Sequence, residues 1–158
     1  MKVIEAIQKR YSCRAYLDKP VEQEKLDQIF EAARQAPSAK NLQDWRFVVV
    51  TDKKIKQQVA DCTNHQNAFG QAGAIIAACS VCGETMKCGQ RIAPIDVSIA
   101  LEHIALMATE LGLATCWIGS FDAEKVRQVL EIPKDIVIIE LMALGYPDKG
   151  CRQTTREP

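Results

Sequence analysis

A mixed α and β fold is predicted by three observations. Two amphipathic helical patterns precede residue 37, four short apolar runs rich in β-branched and aromatic residues follow, and helical patterns separate those runs. The first pattern, "MKVIEAIQKR", spaces Val3, Ile4 and Ile7 at helical intervals. The second, "VEQEKLDQIFEAARQA", puts Leu26, Ile29, Phe30 and Ala33 on one face until Pro37 stops it. The apolar runs "WRFVVVTD", "AGAIIAACSV", "ATCWIG" and "DIVIIELMALG" read as strands. Between them, Lys53 to Ala60 and Asp122 to Leu130 read as surface helices and Pro94 to Leu111 as a longer one. The irregular stretch is "CGETMKCGQR", which joins the second strand to the long helix.

The long helix, "PIDVSIALEHIALMATEL", confines Asp96, Glu102, His103, Thr109 and Glu110 to a narrow stripe. A helix apolar round most of its circumference needs cover on several sides, which one small domain barely supplies, so a homodimer is expected. At 158 residues and 47% hydrophobic content the chain is expected to form one domain, residues 1–158, with one sizeable core.

Twenty Lys and Arg balance twenty Asp and Glu, so no overall field favours nucleic acid or a membrane surface, and any anion site must be local. The first turns carry charge and lack a continuous apolar run, which predicts neither a signal peptide nor a membrane span and points to the cytoplasm. The cysteine count, seven, is odd. Reduced thiols are therefore expected rather than a disulfide framework. Cys79, Cys82 and Cys88 give C-x-x-C-x5-C, one thiol short of a usual four-ligand metal or iron–sulfur site. In a strand, Cys79 and Cys82 would face opposite sides, so they are expected to be small buried hydrophobes and no metal is predicted.

"KRYSCRAY" sets Arg10, Ser12 and Arg14 at alternate positions. In an extended segment these three project from one side, with Cys13 and Ala15 behind. Forked guanidinium donors flanking a hydroxyl suit an oxyanion held in a defined orientation. The next segment, "APSAKNLQDWRFVVV", places Ser38, Asn41 and Gln43 in a loop before a strand, where ligand groups commonly sit. Their neutral donors and acceptors fit a heterocycle edge or ribityl hydroxyls better than proton-transfer chemistry.

Taken together, these residues resemble the nitroreductase family of FMN-dependent oxidoreductases. "RYSCRAY" resembles its Arg-Arg-Ser-x-Arg-x-Phe opening, and "EAARQAPSAKNLQDWRFVVV" its Ala-Pro-Ser-x-x-Asn-x-Gln-Pro-Trp-x-Phe segment. "ELGLATCWIGSF" resembles its Leu-Gly-Leu-Gly-Thr-x-Trp-Ile-Gly block, and "LGYPDKGCRQTTREP" its closing Leu-Gly-Tyr-Pro stretch with a late arginine. The blocks occur in order over essentially the whole chain.

The resemblance implies an α+β fold, with a central, mainly antiparallel sheet flanked by helices, in an intertwined homodimer holding FMN at the subunit interface. It implies that Arg10, Ser12 and Arg156 bind the FMN phosphate, with Arg152 as a rival to Arg156, and that Tyr11 contributes a backbone contact. Arg14 would lie towards the pyrimidine edge. Pro37, Ser38, Ala39 and Asn41 would approach from the other subunit, and Gln66 would meet the pyrimidine. Gly119 and Ser120 would bring backbone amides to flavin N5 and O4. Tyr11, Asp44 and Ala114 depart from the family pattern, which has arginine, proline and glycine there.

The implied activity is hydride transfer from NADH or NADPH through flavin N5 to flat acceptors such as nitroaromatics or quinones, in a ping-pong cycle. A fixed cation beside N1 and C2=O stabilises reduced flavin, and hydride transfer asks for positioning within roughly 3 to 3.5 Å rather than for a protein acid or nucleophile. No catalytic residue is assigned, and His103 is expected to be a satisfied polar residue. Two other functions fit part of the pattern: a non-catalytic FMN-binding or cysteine-based redox-sensing module, and a flavoprotein that fragments or dehalogenates its substrate. The short segment before the long helix implies a small lid, which counts against the last.

Overall fold

A computed structural model describes residues 1–64, 66–81, 83–151 and 153, with Gln66 and Asn67 described in backbone only. The helices are α1 (Val3–Lys9), α2 (Gln23–Arg34), α3 (Lys53–Asp61), α4 (Gln66–Gly70), α5 (Ile92–Glu110) and α6 (Ala123–Val129). The strands are β1 (Trp45–Val50), β2 (Ala74–Ser80), β3 (Ala114–Ile118) and β4 (Val137–Gly145), and one 3-10 turn covers Ala39–Asn41. All nine elements expected from the sequence are found, with ends that differ by one or two residues. The 3-10 turn and α4 are additions, too short to leave a periodic signal.

The sheet runs β1-β2-β4-β3 with every pair antiparallel. β2 is buried along its whole length, and a register irregularity lies between Ala78 and Cys79. Its side chains alternate between two layers, as a strand covered on both faces requires. Ile75, Ala77 and Cys79 pack with Val59 and Ala60 of α3, Phe69 of α4 and Val126 of α6. Ile76 and Ala78 pack with Leu26, Ile29 and Ala33 of α2 and with Val97, Leu101 and Ile104 of α5. Asp52 and Asp122 accept backbone N–H groups at the starts of α3 and α6, as N-caps do. His103 Nδ1 donates to the Ala32 carbonyl at 3.0 Å, tying α5 to α2.

Among the described residues, α5 is the helix long and apolar enough to cross a membrane by length and composition. One of its faces forms the core just described. Elsewhere on its surface Ile95 is exposed and Ile99 and Met107 are only partly covered, although α1 lies against part of it. α1 also exposes apolar side chains. Val3, Ile4 and Ile7 are 74%, 55% and 50% exposed, and only Ala6 is buried. The helical period was legible, but its apolar side points away from the chain's own core.

Cys13 and Cys151 are joined by a disulfide, their Cα atoms 5.6 Å apart, which corrects the expectation of reduced thiols at these two positions. The reason is topological. Tyr16 pairs with Pro147 and the Asp148 amide bonds to the Ala15 carbonyl, so the segment after β4 is laid along the chain's opening stretch. Gly145, at the end of β4, is threaded between Tyr16 and Gly73: an added Cβ would lie 2.7 Å from the Gly73 amide nitrogen and 3.1 Å from the Tyr16 ring. Gly145→Ala is therefore expected to cost about 1–3 kcal/mol, read from urea unfolding midpoints. A cost near zero would show that this crossing relaxes freely.

Candidate functional site

The opening motif leaves α1 at Arg10, whose backbone is already extended, and runs beside the free edge of the sheet. Ser12 pairs in parallel with Thr115 of β3, and the Cys13 amide donates to the Thr115 carbonyl at 2.9 Å. This pairing imposes the alternation expected from the sequence. Cys13 is fully buried while Arg14 is exposed and Ser12 partly so. Arg14 Nη1 lies 3.5 Å from the Ser12 carbonyl. Arg10 Nε lies 3.6 Å from Glu102 of α5, so the first guanidinium is steered by a carboxylate on the long helix.

Gly119 and Ser120 follow directly on β3 and are exposed. Gly119 lies four residue steps beyond Thr115, about 13 Å at ~3.3 Å per residue. The basic cradle and the Gly119 turn thus lie along one strand, a spacing suited to an elongated ligand with an anionic end. Asn64 Nδ2 donates to Ser120 Oγ at 2.6 Å, and Thr63 bridges to Phe121, so the chain entering α4 meets this turn. Gln66 begins α4 two residues after Asn64, and its side chain lies outside the described residues. Arg152 and Arg156 lie outside them as well.

The second loop is elsewhere. Ser38, Ala39 and Asn41 precede β1, the opposite edge strand from β3, so one chain does not bring them to the cradle. Their loop is tightly built: Lys40, Asn41 and Gln43 all have positive φ, between 52° and 57°. Non-glycine residues hold that region only where the surroundings impose it. The Ser38 hydroxyl accepts from the Gln43 amide at 3.0 Å, and the buried Asp96 of α5 accepts from the Ala39 amide at 2.9 Å. Pro37 is exposed and precedes the turn. Tyr11 packs its ring partly against the core, which leaves its backbone for ligand contact.

Two residues escaped the sequence reading. Asp96 looked like one more member of a polar stripe. Glu140 was hidden inside an apolar strand pattern, and only its interruption of "IVIIELMAL" could have flagged it. Glu140 accepts a hydrogen bond from the Ile118 amide, and burial pushes its carboxyl above the usual range. Its Oε1 and the Thr115 hydroxyl are buried without a hydrogen-bond partner among the described residues. Both border β3, where the two halves of the elongated site meet. An uncompensated polar atom there fits a site completed by a polar ligand. The donor set fits such a ligand carrying a phosphate: the Arg10 guanidinium and the Ser12 hydroxyl at one end, the Arg14 guanidinium beyond them, and exposed backbone beside a glycine further along the strand.

The free thiols fit structural roles better than redox ones. Burial pushes Cys79 up to about 11 and raises Cys116 and Cys62, which disfavours the reactive thiolate. Cys79 lies in the core, as expected; Cys82 is outside the described residues, and Cys88 is exposed.

The fold and this edge-strand site define an α+β protein of the nitroreductase type. The sequence profile of the Nitroreductase family matches residues 7–81 and 56–146, and the chain belongs to that family. It is similar to a nitroreductase family protein of Clostridium novyi, at 33% identity, with TM-score 0.87, covering 94% of this chain and 87% of that one. It is similar to an FMN-dependent nitroreductase of Clostridium difficile, at 32% identity, with TM-score 0.81, covering 96% and 91%. A Bacillus subtilis protein named FMN reductase (NAD(P)H) is 28% identical over 175 residues, covering 99% of this chain and 70% of that one.

Proposed function

We propose that the chain is an NAD(P)H-dependent flavin oxidoreductase that holds FMN between two copies of itself and passes hydride from NADH or NADPH to nitroaromatic, quinone or similar flat acceptors in a ping-pong cycle. The observation that carries this is the placing of the Arg10–Arg14 segment beside β3, the strand that Gly119 and Ser120 directly follow. Names of relatives agree with it: one is an FMN reductase, another an FMN-dependent nitroreductase.

In this reading Arg10 and Ser12 hold the phosphate, with Arg156 or Arg152 as a third donor. Tyr11 adds its backbone, and Arg14 presents positive charge towards the pyrimidine edge, where Gln66 adds a polar contact. Gly119 and Ser120 offer backbone donors on the other edge. FMN, when bound, supplies the two-electron carrier, accepting and releasing hydride at N5. The chain's own work is to bind, orient and charge-balance, so no protein acid or nucleophile is assigned.

A second copy supplies what one chain lacks. It covers Val3, Ile4 and Ile7 of α1 and the exposed part of α5, and it brings Pro37, Ser38, Ala39 and Asn41 to the cradle from the opposite sheet edge. The location read from the sequence is the cytoplasm, and neither nucleic acid nor membrane is a partner. A purified sample is expected to be yellow or to become so with FMN, and to oxidise NADH or NADPH when menadione or a nitroaromatic is added. A colourless sample that cannot be reconstituted removes this reading.

One observation favours a different class, an FMN-binding redox sensor: Cys13, which stands between Ser12 and Arg14 in the chain, is bonded to Cys151. Bound flavin reduced only negligibly by NAD(P)H, in a protein whose flavin affinity follows the thiol state, would select the sensor.

A further inference from the structure

Among the described residues no charged side chain contributes to the electrostatics of Glu140. It lies opposite Ala78 on β2, with Leu141 and Met142 following it on β4. Past the last β3–β4 pair, Ile118 with Leu141, the chain turns at Gly119. A Cβ added to Gly119 would lie 3.3 Å from Glu140 Oε1 and 3.6 Å from Oε2, so the carboxyl fills the space directly behind that glycine. One oxygen of the carboxyl is buried without a partner among the described residues, and the Ile118 amide bonds to the group. An amide side chain could accept from Ile118 equally well and would avoid burying a charge. Packing and hydrogen bonding alone therefore give no reason for a carboxyl here.

We propose that Glu140 is a positioning residue that sets the electron affinity of the flavin held at Gly119 and Ser120, its carboxylate opposing Arg14 from behind the turn. This rests on the reading of the site given above. Reduction adds negative charge to the flavin, so a fixed anion behind one edge weakens binding of the reduced form more than of the oxidised form. Arg14 acts in the opposite sense. The pair holds the potential between the values either charge alone would impose. Burial raises the carboxyl's pKa with no charged side chain among the described residues contributing, so ionising it costs stability in the folded chain. That cost is absent below the ordinary value of 4.5, grows as pH rises from there towards the raised one, and is fully present above it.

The test uses Glu140→Gln and Glu140→Ala in the full chain, with and without FMN. Flavin-free E140Q is expected to melt above wild type near neutral pH and not above it in acid. In the FMN-loaded protein both variants are expected to bind reduced relative to oxidised flavin about tenfold better, a rise in midpoint potential of about 30 mV for a two-electron couple. A role confined to packing would leave the E140Q potential at the wild-type value, and that outcome overturns the proposal while leaving the function intact. Equal melting of E140Q and wild type near neutral pH also overturns it, because no buried charge was removed. A wild-type protein that binds no FMN overturns this proposal together with the function, and the flavin-free melting gain then shows that the error lay in the cofactor. Should E140Q fail to fold, E140A carries the potential measurement.

Discussion

Replacing Arg10 and Ser12 together by alanine is expected to lower FMN affinity by about two orders of magnitude while the protein stays folded. The size follows from removing one charge-assisted contact, worth about 1.5–3 kcal/mol, and one neutral hydrogen bond, worth about 1 kcal/mol. The fold is expected to survive. Arg10's ion pair with Glu102 spans 3.6 Å and involves a carboxylate side chain that is 45% exposed, the kind of contact whose loss costs little. Ser12 meets β3 through its backbone, which the substitution leaves alone. Flavin fluorescence titration checks the affinity and circular dichroism the fold. An unchanged dissociation constant in a folded double variant sinks the assignment of the cradle. The single variants add a further check, because contacts to one phosphate are coupled and their separate costs need not sum to the double.

Cys151→Ser, or reduction of the wild type, lowers thermal stability by about 2–4 kcal/mol, which for a chain of this size shifts the melting midpoint by about 10 °C. The Cys13–Cys151 bond closes a sequence separation of 138 residues, so its loss frees nearly the whole unfolded chain. It also unpins a segment that otherwise rests on a few contacts, among them Asp148 to Ala15 and Gln153 Nε2 to the Gln8 carbonyl at 2.6 Å. Calorimetry with and without a dithiol measures the effect. A wild type that melts alike in both conditions, and alike with C151S, would show that the bond contributes nothing. The substitution leaves Cys13 in its buried position, so no cavity confuses the reading.

Both predictions concern one short stretch, Arg10 to Tyr16, and they show what could and could not be read from it. Alternation was legible because strand geometry is local: once the segment is extended, Arg10, Ser12 and Arg14 must share a side. What holds it extended was not. Thr115 lies more than a hundred residues away, and no property of Ser12 announces it. The disulfide was missed for the same reason. Cysteine counting says which thiols exist, whereas bonding needs two Cα atoms brought to 5.6 Å by the crossing of Tyr16 and Pro147. Glu140 shows a third kind of omission. Its strand pattern was read correctly, and the exception inside the pattern was passed over.

By itself the sequence determined the elements, the mixed class and the residue types of the cradle, because periodicity, capping and side-chain chemistry act within a few residues of chain. Only the tertiary structure decided the strand order, that Ser38 to Asn41 and Arg10 to Arg14 lie at opposite sheet edges, and that α1 turns its apolar face outward. Those are outcomes of long-range packing. Which strands become neighbours depends on burying both faces of β2 at once, and that condition involves residues from Leu26 to Leu144 together.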